Sequence, residues 1–301
     1  MPIVSPREML AEARRCGYAV CYCESWNLES LEAVMDAAEE CRAPVIAGFN
    51  GGFLRHKTRS RPEKLAYYAG FWDALDRAAV PVGFLLNESD DLGQIREALT
   101  FHFNAVMVEN EGRGADEYRE LVREVVSMAH PANVWVEAQL GSLPGGAAGH
   151  EAAFEATEPD AARAFVEATG VDALAVSVGN VHVLTRGSMP VDLDALRRIR
   201  DRVDVPLVLH GGTGIQPECL PALIELGVAK INYGTGLKQA YLEAVRTALA
   251  RYQAPASPHE FLGIGGPADI MTAGREAVKN KVKELLALSG SAGRTGSPAT
   301  L

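Results

Sequence analysis

The chain has 301 residues, 48% of them hydrophobic, which supplies one large core and excludes a disordered polypeptide. Its 29 basic and 39 acidic residues leave a net charge of −10, which excludes the broadly basic surface that non-specific nucleic-acid binding needs. Five cysteines (Cys16, Cys21, Cys23, Cys41 and Cys219) are odd in number and lack paired zinc-finger spacing, so no disulfide scaffold is expected, and Cys21 and Cys23, on one strand face, read as small buried side chains. The amino-terminal stretch has no apolar signal core and no apolar run reaches the roughly 18 residues of a membrane span, so a cytoplasmic protein is expected.

Taken in chain order, strand and helix alternate. A strand at Tyr18–Cys23 precedes a helix at Leu28–Glu40, and a strand at Pro44–Phe49 precedes a helix at Pro62–Arg77. Strands follow at Pro81–Leu86 and Ala105–Glu109, then a helix at Glu117–Met128 and strands at Val134–Leu140 and Leu174–Gly179. A helix at Asp192–Arg202 leads to a strand at Pro206–His210, a helix at Pro217–Leu226, a strand at Lys230–Tyr233 and a helix at Leu237–Tyr252. The strands are short and valine-rich, as strands covered on both faces should be. Eight of them alternating with helices predict an α/β fold, a (β/α)8 TIM barrel with an extra carboxyl-terminal helix at Gly274–Leu288. An open doubly wound sheet would show fewer strands and a glycine fingerprint after the first, and none follows Cys23. Residues 1–288 read as a single domain and the small, polar residues 289–301 as a flexible tail. The glycine-rich stretch Gly141–Glu155 reads as a candidate lid.

Chemistry gathers at the strand ends. His182 and His210 each follow an apolar strand and stand beside turn residues. In a parallel barrel both would face the carboxyl end, where barrel active sites lie. Glu24, Asn87, Glu88, Glu109, Glu137, Gln139 and Asn232 end or lie late in other strands. A ring of buried polar and charged groups must pair, hydrate or bind a cation, and two imidazoles with a carboxylate suit Zn²⁺ or another divalent ion. His56, His102, His130 and His259 read as structural, and His150 is of interest only because it lies in the glycine-rich stretch. The sequences HGGTG (210–214) and INYGTG (231–236) each put a glycine turn before a helix, after strands seven and eight, where barrels often hold phosphate on backbone N–H groups. Arg55, Lys57, Arg59 and Arg61 after strand two read as a solvated loop, with a grip on a distal anion as the functional alternative.

These motifs resemble the class II, metal-dependent fructose-bisphosphate aldolase family, which includes tagatose-bisphosphate aldolases. NLESLEAVMDAAEECRAPVI is similar to the family's first helix and second strand, and VEAQLGSLPGG to its VEAELGxxGG stretch. SVGNVH and LVLHGGTGI resemble the strands carrying zinc histidines, KINYGTGL the KINIDTDL segment, and REAVKNKVKELLALSGSAGR the terminal helix and tail. The resemblance implies Zn²⁺ on His182 and His210. It implies phosphate at Gly211, Gly212, Thr213, Asn232, Gly234 and Thr235, with Arg186 near it and Asn232 helping to hold an enediolate. It also implies a sugar-phosphate substrate and a homodimer or homotetramer, with no nucleic-acid or membrane partner.

The departures carry as much information. Where the family reads L-D-H-G, with an acid and a third zinc histidine, this chain has Leu86, Asn87, Glu88 and Ser89. Asn87 cannot act as an acid, whereas Glu88 can complete a two-histidine, one-carboxylate metal site. Glu109 and Glu137 are further candidates to support or share the ion. Val183 replaces the glycine after the first zinc histidine, Gly234 replaces an aspartate and Glu24 an asparagine. Glu24, Glu88, Asp90 and Asp91 are the acids available in place of the missing one. The expected function is a metal-dependent, aldolase-like lyase on a phosphorylated ketose or related sugar phosphate. An isomerase or epimerase on the same barrel, or a non-catalytic sugar-phosphate binder, are the alternatives.

Overall fold

The computed structural model describes residues 3–110, 112–144 and 155–295. Eight strands form a closed, all-parallel barrel in sequence order. They are β1 (Val20–Ser25), β2 (Val45–Asn50), β3 (Val82–Ser89), β4 (Ala105–Val108), β5 (Trp135–Leu140), β6 (Ala173–Val176), β7 (Leu207–Leu209) and β8 (Val228–Tyr233). All eight strands expected from the sequence are present, each with at least one end shifted.

The two-residue period of the strands sorts side chains between two cores. Val20, Tyr22, Ile46, Leu85, Met107, Trp135, Ala175 and Val208 fill the barrel. Cys21, Cys23, Val45, Ala47, Leu86, Val136 and Leu209 face the surrounding helices. The cysteines are free; Cys21 and Cys23 are buried, Cys21 against Ser289 at 3.3 Å, while Cys16, Cys41 and Cys219 are half-buried. A helix at Pro6–Cys16 contributes Met9, Leu10 and Ala13 to the inner cluster and closes the amino end of the barrel. The sequence reading did not include it, although Pro at its start after Ser5 is a usual opening for a helix.

The helix at Leu28–Cys41 starts with a reciprocal cap between Asn27 and Ser30. The helix expected over Pro62–Arg77 is instead two single turns, Ala66–Ala69 and Trp72–Leu75, separated by Gly70. Glycine weakens a helix interior, and Tyr68 and Phe71 turn onto Phe49 of the outer core, so tertiary packing overrides helical continuity. The helix expected at Pro217–Leu226 opens with a 3-10 turn before Leu220–Glu225. The last helix runs Ile270–Leu288, capped by the Asp269 side chain, and packs on the helices at Leu28–Cys41 and Thr235–Leu249.

The polar tail begins later than composition suggests. Ser289 and Ser291 are buried, the Gly293 N–H donates to the Cys41 carbonyl at 2.8 Å, and the Thr295 N–H donates to that of Arg42 at 3.1 Å. Small residues here let the chain lie against β1 and the first outer helix. Residues 296–301 lie outside the described residues, as do His150 and most of the candidate lid, residues 145–154. Among the described residues no helix is long and apolar enough to cross a membrane.

Candidate metal centre and active site

Local backbone irregularities build the site. The β3–β4 register slips between Leu86 and Ser89, and Glu88 has φ +51°, a left-handed conformation uncommon for a non-glycine residue. Strict alternation would send Asn87 and Glu88 to opposite faces. The bulge turns both inward, so that the Asn87 amide donates to Glu88 Oε1 at 2.9 Å. Asn50, at the end of β2, donates to Glu88 Oε2 at 2.5 Å. Both carboxylate oxygens are thus held by amides.

Glu88 Oε1 lies 3.3 Å from His182 Nε2 and 3.4 Å from His210 Nδ1. One potential ligand atom from each of the three residues lies within 4.8 Å of the others, the one such group of three or more His, Cys, Asp or Glu residues among the described residues. The His210 Nδ1 atom is buried without a hydrogen-bond partner among the described residues, as a ligand atom facing a cation would be. The donor set of two imidazoles and a carboxylate therefore fits a divalent ion. Burial alone would push the Glu88 carboxyl up, but the two imidazoles hold it well below the ordinary range.

Behind His210 runs a buried relay. The His210 Nε2 atom is 2.8 Å from Glu137 Oε1, and Glu137 Oε2 is 2.8 Å from Lys230 Nζ. Lys230 in turn donates to Asn232 Oδ1 at 2.6 Å. Glu137 thus stands behind a ligand, outside the cluster of ligand atoms, because both its oxygens are committed elsewhere. Such a carboxylate fixes the tautomer and ring orientation of a metal-binding histidine. Lys230 faces inward because the β7–β8 register slips between Leu207 and Val208 and pairs it with the inward Val208. Lys230 and Asn50 are the site residues the sequence reading missed. A lone lysine in an apolar strand, VAKINY, and a polar residue ending FN before GG were the signals for them.

The remaining expected residues fall as follows. Asn232 is buried, and its Nδ2 has no hydrogen-bond partner among the described residues. The two glycine loops meet, since Thr213 Oγ1 accepts from the Gly236 N–H at 3.1 Å at the start of the helix Thr235–Leu249. Gly234 is required for space: a Cβ there would lie 2.2 Å from Glu24 Oε2, and Glu24 pairs with Lys238 at 2.6 Å. The Glu24 carboxylate thus fills the room a side chain at 234 would take. Arg186 is exposed and makes no ion pair among the described residues. Its loop lies beside the glycine loops through the Gln239 amide, which donates to the Thr185 carbonyl at 3.0 Å. Arg55 pairs with Asp91 and Arg59 with Glu63, while Arg55, His56 and Lys57 line the same cavity as Glu88 and His182.

Two further left-handed residues hold His182. Val183 has φ +58°, where glycine would sit freely and a β-branched residue is strained. Gly211 has φ +70°, and a Cβ on it would lie 2.1 Å from the Val181 carbonyl oxygen. That close approach brings the loop of His182 over the end of β7, with the two imidazole ring centres 5.9 Å apart. Gly211→Ala is therefore expected to destabilise the protein by about 3 kcal/mol and to weaken metal binding by spreading the imidazoles. Denaturant unfolding and a zinc titration check it, and an unchanged zinc affinity would contradict it.

A family model described as class II fructose-bisphosphate aldolase matches residues 4–294. The YdjI aldolase of Escherichia coli K12 is 32% identical, with 98% of this chain and 100% of that one covered and a TM-score of 0.80. A candidate fructose-1,6-bisphosphate aldolase of Coccidioides immitis is 24% identical, with 97% and 98% covered and a TM-score of 0.81, a likeness of fold. The fructose-bisphosphate aldolase of Campylobacter jejuni is likewise similar in fold, at 20% identity, 96% of each chain and a TM-score of 0.75. With the family model spanning nearly the whole chain and the barrel closing as the family's does, this protein belongs to the class II fructose-bisphosphate aldolase family.

Proposed function

We propose that the protein is a metal-dependent aldehyde-lyase acting on a phosphorylated ketose or a related sugar phosphate. The observation that carries this reading is the convergence of Glu88, His182 and His210 at the carboxyl end of the barrel. These three residues would hold the ion, Zn²⁺ in this reading with other divalent ions fitting the same donors. Bound there, the ion would act as a Lewis acid on a ketone carbonyl. Glu137 and Lys230 keep His210 oriented, while Asn50 and Asn87 keep Glu88 aimed between the imidazoles. Asn232 offers an unpartnered amide to a developing negative oxygen. Gly211, Gly212, Thr213, Gly234 and Thr235 offer backbone N–H groups to a phosphate, with Arg186 on the neighbouring loop.

A cytoplasmic homo-oligomer, a dimer or tetramer, is part of this reading. Exposed Leu242, Leu249, Leu262 and Ile264 give the side of the helix Thr235–Leu249 and the segment after it an apolar character. Asn87 in place of an acid supports a second reading, an isomerase or epimerase that moves protons without breaking a carbon–carbon bond.

Zinc-loaded protein is expected to hold a single tightly bound ion and to catalyse deuterium exchange into dihydroxyacetone phosphate in heavy water, with the exchange lost on chelation. Protein that binds zinc and dihydroxyacetone phosphate without exchange would sink the enzyme reading in favour of a binder.

A further inference from the structure

An aldolase must take a proton from the hydroxyl beside the bond it breaks, and Asn87 cannot take it. Among the described residues, the other carboxylates at the carboxyl end each have a place. Glu88 faces the two imidazoles. Glu137 is sealed between His210 and Lys230. Glu24 is held by Lys238 at 2.6 Å and wedged against Gly234. Asp91 caps a helix through the Gln94 N–H at 2.7 Å and pairs with Arg55 at 3.0 Å. Asp90 faces Arg113 at 3.5 Å. Glu155 is exposed at the rim.

Glu109 is different. It directly follows β4 and lines the cavity of about 1160 Å³ that also holds Glu88, His182 and Gln139. Its Oε1 accepts from the Asn110 N–H at 2.9 Å, and its Oε2 has no protein partner among the described residues. Resting on the aldolase reading above, we propose that Glu109 is the catalytic carboxylate that takes the hydroxyl proton in cleavage and returns it in condensation. The O–H proton passes to Oε2, and the O–H electron pair becomes the second bond of the aldehyde carbonyl. The carbon–carbon bond breaks, and its electron pair stays with the ketone half, which takes a proton from water before release. No oxidant or further reactant is needed. The buried Asn87 Oδ1, which has no hydrogen-bond partner among the described residues, is an acceptor able to orient the same hydroxyl. Burial first, and the neighbouring Glu88 charge second, push the Glu109 carboxyl up, with the two imidazoles and the Asn110 N–H pulling the other way. That makes Glu109 easier to protonate than a free carboxylate, as a group that returns a proton in condensation must be.

The test compares zinc-loaded wild type with Glu109→Gln and Glu109→Asp. Four quantities are read: zinc content, melting temperature, deuterium exchange into dihydroxyacetone phosphate, and condensation of that compound with glycolaldehyde and glyceraldehyde. Glu109→Gln should keep its zinc and its exchange rate within about threefold, while condensation falls at least about a hundredfold. Glu109→Asp should recover about tenfold of that loss, because the carboxylate is retained one methylene back. Condensation by Glu109→Gln within about tenfold of wild type would overturn the proposal. So would loss of exchange in parallel with condensation at full zinc content, or loss of zinc, which would make Glu109 a ligand. Wild type that exchanges but condenses neither aldehyde would also overturn it while leaving an enzyme reading intact. Wild type that binds zinc and does neither would remove the aldolase reading itself.

Discussion

Lys230→Met is expected to destabilise the protein by about 3–5 kcal/mol, the largest effect of any single substitution considered. Lys230 is fully buried among barrel side chains, with its ammonium 2.8 Å from Glu137, 2.6 Å from Asn232 and 5.1 Å from the Tyr22 ring centre. Burial pushes the Lys230 ammonium down, an effect that Glu137 partly offsets. Burial would likewise push the Glu137 carboxyl up, yet Lys230 and His210 together keep it below its ordinary value. Methionine fills the same volume but leaves the Glu137 charge deep in the barrel with His210 as its one compensating partner. The energetic loss is therefore the stranded charge rather than lost packing. Denaturant unfolding of metal-free wild type and Lys230→Met measures it, with Lys238→Met as the control. Lys238 is about one-third exposed, and its Glu24 pair should contribute under about 1 kcal/mol. A loss below about 1 kcal/mol for Lys230→Met would show that the buried pair is not what holds this end of the barrel.

Zinc binding is expected to tighten as pH rises, by about tenfold per pH unit for each proton displaced. Burial lowers the affinity of His210 for a proton, but its contacts with Glu137 and Glu88 outweigh burial and raise its pKa from 6.5 to about 9. The pKa of His182 is raised as well, with Glu88 outweighing burial. In the metal-free protein His210 therefore carries a proton at neutral pH, and an ion binding at Nδ1 must expel it. The sign for folding is the reverse. A histidine whose folded pKa lies above its unfolded value stabilises the fold fully below pH 6.5, and that contribution is lost as pH rises through about 9. For His210 the amount is on the order of 3 kcal/mol, from about 1.4 kcal/mol per pH unit. Metal-free protein should thus lose stability between these pH values while zinc affinity grows. His210→Ala should flatten both trends to the part that His182 supplies and remove most of the zinc binding. Competition titrations at pH 6.5, 7.5 and 9, with unfolding of the metal-free form at the same values, test it. Zinc affinity flat across that window would show that the imidazoles are already neutral.

Together these effects explain why the acidic cluster is tolerated. Each buried carboxylate of the metal centre has a cation or two amides against it, so the site can exist before an ion arrives. The cost appears as strained backbone at Glu88 and Val183, the two points where ligands turn inward.

The sequence by itself determined the barrel. Its eight apolar segments, spaced by amphipathic helices, have few other ways to bury both strand faces, and the pattern survives errors of a few residues at each end. It also determined that His182, His210 and Glu88 are close in space, because all three lie at or beyond the ends of strands whose carboxyl ends must share one rim. Only the tertiary structure decided how the rim is used. The bulges in β3 and β8 turn Glu88 and Lys230 inward against simple alternation. Alternation is a local rule, whereas a bulge is fixed by register with a neighbouring strand far along the chain. The same holds for Glu24 and Gly234, 210 residues apart, where one side chain fills the space the other leaves. Glu109 stands out only once the partners of Glu24, Glu88, Asp90, Asp91 and Glu137 are known, and partners between distant strands are set by packing, which no single segment of sequence contains.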